Sequence, residues 1–173
     1  MKAHGLFLVL LQTCVANTLV LAGEATVARI GASGDALEFE QRVNGETVKG
    51  SVPLYTSAGV RYFSAGVGLE ERAAQYPPFA LKIVLTAGGK PFLTGVAVTI
   101  QPAKGGTAIA IPSEQVEGPW LFVDVAPGLY DVTATDGEYM QRLHAVKVEA
   151  GKQKVVYLRW EKDRGITSRL PPD

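Results

Sequence analysis

The stretch from Gly118 to Gly137, GPWLFVDVAPGLYDVTATDG, constrains this chain more than any other. It reads as strand, turn, strand, turn. Side chains two apart share a face, so Trp120 and Phe122 fall together on the first strand, and Tyr130, Val132 and Ala134 on the second. Pro127-Gly128 separates the strands. Asp136-Gly137 closes the second as a two-residue hairpin turn whose central positions take positive φ. Strands with an apolar face must bury it against a second layer, which makes the chain all-β. Trp120 and Tyr130 are expected in that core, on facing inner surfaces.

The period of two extends in both directions. Leu37 and Phe39 alternate with Glu38 and Glu40, and Val43-Asn44-Gly45-Glu46 turns the chain into Thr47-Val48. Phe79, Leu81, Ile83 and Leu85 fall on one face, Lys82 and Thr86 on the other. After a turn at Ala87-Gly88-Gly89-Lys90, the set Val96, Val98 and Ile100 opposes Thr99 and Gln101. Ala103-Lys104-Gly105-Gly106 turns again, before a short strand from Thr107 to Ile111 that ends at Pro112. The last two strands carry Val146 and Val148, then Val156 and Leu158, around a turn at Gly151. Leu69-Glu70-Glu71-Arg72-Ala73-Ala74-Gln75 is the one helical stretch, and Tyr76-Pro77-Pro78 stops it. Residues 53–68 show no clear period. About seven strands at intervals of roughly ten residues imply a sandwich or barrel.

A chain of 173 residues holds one domain with a sizeable core and an extension. Its 17 basic and 17 acidic residues form no basic stripe, which argues against nucleic acid or anionic lipid as partner. At the start, Lys2 and His4 precede an apolar run from Gly5 to Leu11 that resumes to Ala22, with small residues at Ala16, Ala22 and Ala25. This reads as a cleaved secretory signal. Gln12, Thr13 and Asn17 interrupt the run, which argues against a membrane anchor. The expected location is periplasmic or secreted, with no membrane span after cleavage. Cys14, the single cysteine, lies in the signal, so the mature chain offers no thiol nucleophile and no cysteine metal ligand. The expected organisation is a signal over 1–22, an extension over 23–78 with a hairpin, a glycine loop and a short helix, a sandwich over 79–160, and a disordered polar tail over 161–173. Residues 23–35 read as a loosely held start.

The pattern Gly118-x-Trp120-x-Phe122, Val125-x-Pro127-Gly128-x-Tyr130-x-Val132-x-Ala134, Gly137, Val146-x-Val148-x-x-Gly151 resembles the carboxypeptidase regulatory-like domain. Leu81-x-Ile83, the Gly88-Gly89 turn and Gly95-Val96-x-Val98-x-Ile100 look like that domain's opening hairpin. The resemblance covers about residues 79–160. It implies a transthyretin-like (prealbumin-like) Greek-key β-sandwich with one short helix before it. Gly66-Val67-Gly68-Leu69-Glu70-Glu71-Arg72 also resembles a segment that small secreted proteobacterial proteins of uncharacterised function place ahead of this domain. Enzymes with transthyretin-like folds carry signatures missing here. Hydroxyisourate hydrolases end in Tyr-Arg-Gly-Ser, whereas this chain ends Arg169-Leu170-Pro171-Pro172-Asp173. Intradiol dioxygenases hold iron with two tyrosines and two histidines.

His144 is the one histidine beyond the signal. A Ser-His-Asp triad would need it, with Asp124, Asp131 or Asp136 orienting it and Ser64 or Ser113 attacking. No nucleophile-elbow pattern accompanies it, and a half-exposed strand histidine explains it as well. One histidine and scattered acids do not make a catalytic metal site. Gly66-Val67-Gly68 ahead of a helix could cradle an anion, but Glu70 and Glu71 in the first turn would repel it. Among the aromatics, Trp120, Tyr130, Tyr139, Tyr157 and Trp160 could form a platform for sugar or peptide. Trp160, ending the last strand, is expected to be the exposed one. The expected function is therefore non-catalytic, without cofactor or metal: a module contacting an envelope protein or polymer, or another copy of itself through sheet edges. A small-ligand or carbohydrate carrier is the alternative. Trp160, Tyr157, Gly66, Gly68, Glu70 and Arg72 make up the expected binding surface.

Overall fold

The computed structural model describes residues 26–43, 46–88 and 93–161. The expected signal with Cys14, the turn residues Asn44-Gly45 and Gly89-Lys90, and the tail after residue 161 lie outside these. Among the described residues the strands are β1 (Arg29–Ile30), β2 (Ala36–Val43), β3 (Glu46–Pro53), β4 (Tyr55–Ser57), β5 (Val60–Ala65), β6 (Leu81–Ala87), β7 (Ala97–Pro102), β8 (Ile109–Ile111), β9 (Trp120–Val123), β10 (Gly128–Asp136), β11 (Tyr139–Val148) and β12 (Lys154–Trp160). One short helix, α1 (Leu69–Ala73), and a single 3₁₀ turn complete the described elements. The chain is all-β, as its alternation requires.

Two sheets face each other over one core. The first has the order β11-β10-β7-β8, the second β12-β6-β9-β5-β4. Val98, Ile100, Tyr130, Val132, Ala134, Val146 and Val148 from the first meet Leu81, Ile83, Leu85, Leu121, Val123, Val156 and Leu158 from the second. Each Val, Leu or Ile among them contributes about 1.5–3 kcal/mol when fully buried. Most strand pairs are antiparallel, but β12 runs parallel to β6, in register from Lys154↔Leu81 to Trp160↔Ala87. Tyr130 fixes the Pro127-Gly128 turn by donating its hydroxyl to the Ala126 carbonyl at 2.7 Å.

A third sheet, β1-β2-β3, lies against the far side of the second one. Its hairpin joins Val43 to Glu46 directly opposite, as the Asn-Gly signal predicts. Leu37, Phe39 and Val52 from this sheet meet Phe63 of β5 and Phe122 of β9, together with Phe79. Phe63 stacks on Phe122 with centroids 4.6 Å apart and meets Phe79 edge-on at 5.0 Å, both favoured ring geometries. The strands β5 and β9 are thus buried on both faces.

This third layer corrects several expectations. Trp120 and Phe122 face outward from the sandwich, and Leu121 and Val123 fill its core instead. Every residue of β9 is apolar, so alternation alone could not choose the face. Phe79 joins the second core because the chain bends at residue 80, before β6 begins. The sequence left open whether residues 23–78 add strands to the sandwich; they do, since β5 pairs with β9 inside the second sheet and β4 extends it. Of the segment 23–35, expected to be loosely held, the described residues from Thr26 on are tied to the rest of the chain. Ala28 N–H donates to the Gln75 carbonyl at 2.9 Å, and Gln75 N–H to the Thr26 carbonyl at 2.6 Å. Finally, Asp136 pairs with Tyr139, which places Gly137 and Glu138 at the turn's centre. Gly137 has φ 57, whereas Asp136 remains in the strand and is buried.

Candidate functional site on the outer face of the five-stranded sheet

The register of the second sheet builds two rows on its outer face. One row holds Tyr157, Val84, Trp120 and Ala65; the next holds Val155, Lys82, Phe122 and Phe63. Arg159 follows beside Thr86. The third sheet covers the end of these rows at Phe63 and Phe122. At the β12 end, Val155 and Arg159 are exposed and Tyr157 is 51% exposed.

Lys82 sits at the boundary between covered and open halves. Its Nζ lies 3.9 Å from the Trp120 ring centroid and 4.9 Å from that of Phe122. Each ring face attracts the ammonium through its quadrupole. Burial pushes the Lys82 pKa below the ordinary lysine value. The Arg159 guanidinium stands over Tyr157, 5.3 Å from the ring centroid. None of the ion pairs among the described residues involves Lys82 or Arg159. Both cations therefore stand against aromatic rings and outside the ion pairs of the described residues.

The glycine loop borders the same face. Gly66 lies against the Trp120 indole, where an added Cβ would fall 2.8 Å from Cδ2, and its φ of 99 suits glycine. Glu71 accepts the Gly66 and Val67 N–H groups at 2.7 and 3.1 Å, and Arg72 Nε donates to the Gly66 carbonyl at 2.8 Å. The loop's donors are thus taken by its own carboxylate, which leaves them no role for an anion. Gly68 caps α1 and Glu70 is exposed beside it. Leu69, at 79% exposure, projects from the helix start.

Of the expected surface, Gly66 meets the site through Trp120, and Gly68, Glu70 and Arg72 belong to the loop that holds Gly66. Tyr157 lies in the open row. Trp160 does not join them. It is 3% exposed and packs in the sandwich core. Its parity with Val156 and Leu158 is the signal that places it inward. Lys82, Trp120, Val155 and Arg159 are the additional members. Their common face is readable from the same parity, but only once β12 is known to flank β6.

The other candidates do not form sites. His144 Nδ1 lies 3.5 Å from Asp131 Oδ1 on an exposed stretch of β11. Asp131 also accepts the Ala145 N–H at 3.0 Å, and that bond, with His144 adding to it, holds its carboxyl below the usual range. Ser64 is buried and structural: its hydroxyl donates to the Gln115 carbonyl and accepts the Glu117 and Gly118 N–H groups. Ser113 bonds its neighbour Glu114. No cluster of three His, Cys, Asp or Glu side chains that could hold a metal occurs among the described residues. A cavity of about 310 Å³ opens between Pro78, Pro127 and the 149–153 turn. Its acids are spent, Asp124 on Arg61 and Glu149 on Lys147 and Lys152. No helix among the described residues is long and apolar enough to cross a membrane. Comparisons of the chain with family models, curated proteins and solved structures find no match.

Proposed function

We propose that this chain is a non-catalytic contact module of the cell envelope, periplasmic or secreted, and that it holds a protein or polymer on the open half of its five-stranded sheet. One observation carries the reading. The chain covers the Phe63–Phe122 half of that face with its own third sheet and leaves the β12 end exposed at Val155, Tyr157 and Arg159, with neither Arg159 nor the part-buried Lys82 in any ion pair among the described residues. An exposed aromatic beside free cations marks an interaction surface rather than a solvated one. The sandwich is read as the transthyretin-like Greek key of the carboxypeptidase regulatory-like domain. The parallel β12–β6 pairing, the Pro127-Gly128 turn anchored by Tyr130 and the turn at Gly151 support that reading.

Tyr157 with Arg159 over its ring also suits a sugar, so a carbohydrate carrier is the second reading. Capture of partners from the cell's own envelope fraction on immobilised chain tests the site. Tyr157→Ala and Lys82→Gln are each expected to lower the captured material at least several-fold, with His144→Ala as an unaffected control. Equal capture by all variants places the surface elsewhere. Turnover of an ester, peptide or glycoside that His144→Ala abolishes, with the fold intact, overturns the non-catalytic reading.

A further inference from the structure

We propose that β12 is the edge at which two copies of this chain pair, each β12 running antiparallel to the other about a two-fold axis at Tyr157. This rests on the contact-module reading and names one partner for it. β12 ends the five-stranded sheet, with β6 on one flank and no strand on the other among the described residues. The pairing with β6 fixes which backbone groups are used. Lys154 N–H donates to the Ala80 carbonyl at 2.8 Å, and the Trp160 carbonyl accepts the Gly88 N–H at 3.0 Å. Residues 154, 156, 158 and 160 therefore turn their amides toward β6. The amides of Val155, Tyr157 and Arg159 point the other way, out of the sheet.

These three residues are spaced symmetrically about Tyr157. Laying a second β12 antiparallel, Tyr157 opposite Tyr157, sets Val155 opposite Arg159 of the other copy. Each of these becomes a hydrogen-bonded pair, for about six bonds in all. A slip of one residue would set outward amides against inward ones and reverse the faces. On the outer face the two tyrosines meet, and each arginine stem lies along a valine; on the inner face Val156 meets Leu158, joining the two cores. The arginines stand at opposite ends, so no like charges face each other. Such a contact is self-complementary and closes as a dimer.

The remaining edges are defended. β1 has 2 residues, and β4 and β8 have 3 each. β11 is long, but Ala145 at φ 53 breaks it with a bulge, and Arg142, His144 and Lys147 line it exposed. β3 carries Gly50 and ends at Pro53. β12 has neither glycine, proline nor bulge.

The test uses the full chain. Light scattering during size exclusion is expected to give twice the mass that the same chain shows by mass spectrometry. Tyr157→Pro removes an outward N–H and no bond to β6, so it is expected to give a monomer with an unchanged circular dichroism spectrum. In a Cys14→Ser background, Tyr157→Cys is expected to link to itself on oxidation. The Cα atoms of a hydrogen-bonded pair stand about 5.5 Å apart, within disulfide reach. Val155→Cys alone should not link, but should link when mixed with Arg159→Cys. A monomeric wild type, a dimeric folded Tyr157→Pro, or Val155→Cys linking to itself as readily as Tyr157→Cys overturns the pairing. If linking fails while envelope capture persists, the pairing falls and the contact module stands. If capture fails while Tyr157→Cys links, the pairing stands and the module reading falls.

Discussion

The two tryptophans divide the molecule's packing between them. Trp160 is enclosed by the sandwich core, whereas Trp120 lies half-buried outside it between Gly66 and Lys82. Trp160→Ala is expected to cost about 3–5 kcal/mol, the range for deleting a large enclosed aromatic. Trp120→Ala should cost less, about 1–3 kcal/mol. Denaturant melts of both variants check the order, and a larger loss at Trp120 would reverse the assignment of faces. Ser64 offers a polar counterpart. Its hydroxyl satisfies two backbone N–H groups at 2.9 and 3.3 Å, so Ser64→Ala should cost about 1–3 kcal/mol in the same melts. Lys82 gives a pH signature. Its folded pKa is lowered, so between that value and 10.5 the unfolded chain binds more protons than the folded one. Stability attributable to Lys82 therefore rises with pH through that window. Below it, the cost of holding the charge half-buried is fully present. Subtracting the stability–pH curve of Lys82→Met from that of the wild type should leave this rise; a flat difference would mean that Lys82 is fully solvated.

Among the elements, the third sheet acts as a cover. Phe39 lies across Gly50, on the site an added Cβ would take, and plugs the layer over Phe63 and Phe122. Phe39→Ala is expected to cost about 3–5 kcal/mol and to raise binding of a hydrophobic dye as those rings become accessible. No change in dye binding would show that the cover does not depend on this ring. The β2–β3 hairpin was legible because one of its faces is polar, with Glu38 and Glu40 alternating against Leu37 and Phe39. The strands β6, β7, β10, β11 and β12 were legible for similar reasons. β9 was legible as a strand but not in its facing, because all four of its residues are apolar, and β5 was not legible because both faces of Tyr62–Ala65 are buried. The β4–β5 hairpin hid for another cause. It turns on Ala58 and Gly59 at φ 50 and 76, and alanine is an unusual residue at positive φ. Of the site, Tyr157 stood in the expected surface, but the exposed place was given to Trp160, whose parity with Val156 and Leu158 turns it inward and leaves Tyr157 outward. Lys82 and Trp120 were not grouped with it because the order β12-β6-β9 joins strands distant in sequence.

At the scale of the whole molecule, three layers leave one sheet face exposed at its β12 end. The clad half accounts for the aromatic richness of β5, β9 and the second core. The β12 end, where Val155, Tyr157 and Arg159 are exposed and Lys82 and Trp120 lie part-buried on the next two strands, is the proposed contact surface. Amide hydrogen exchange, read peptide by peptide with and without the cell's envelope fraction, tests that placement most directly. Added slowing is predicted over 154–160, 81–87 and 118–123, with none at the cavity rim over 149–153 or around His144. Slowing confined to that rim or to β11, with 154–160 unchanged, would contradict the account.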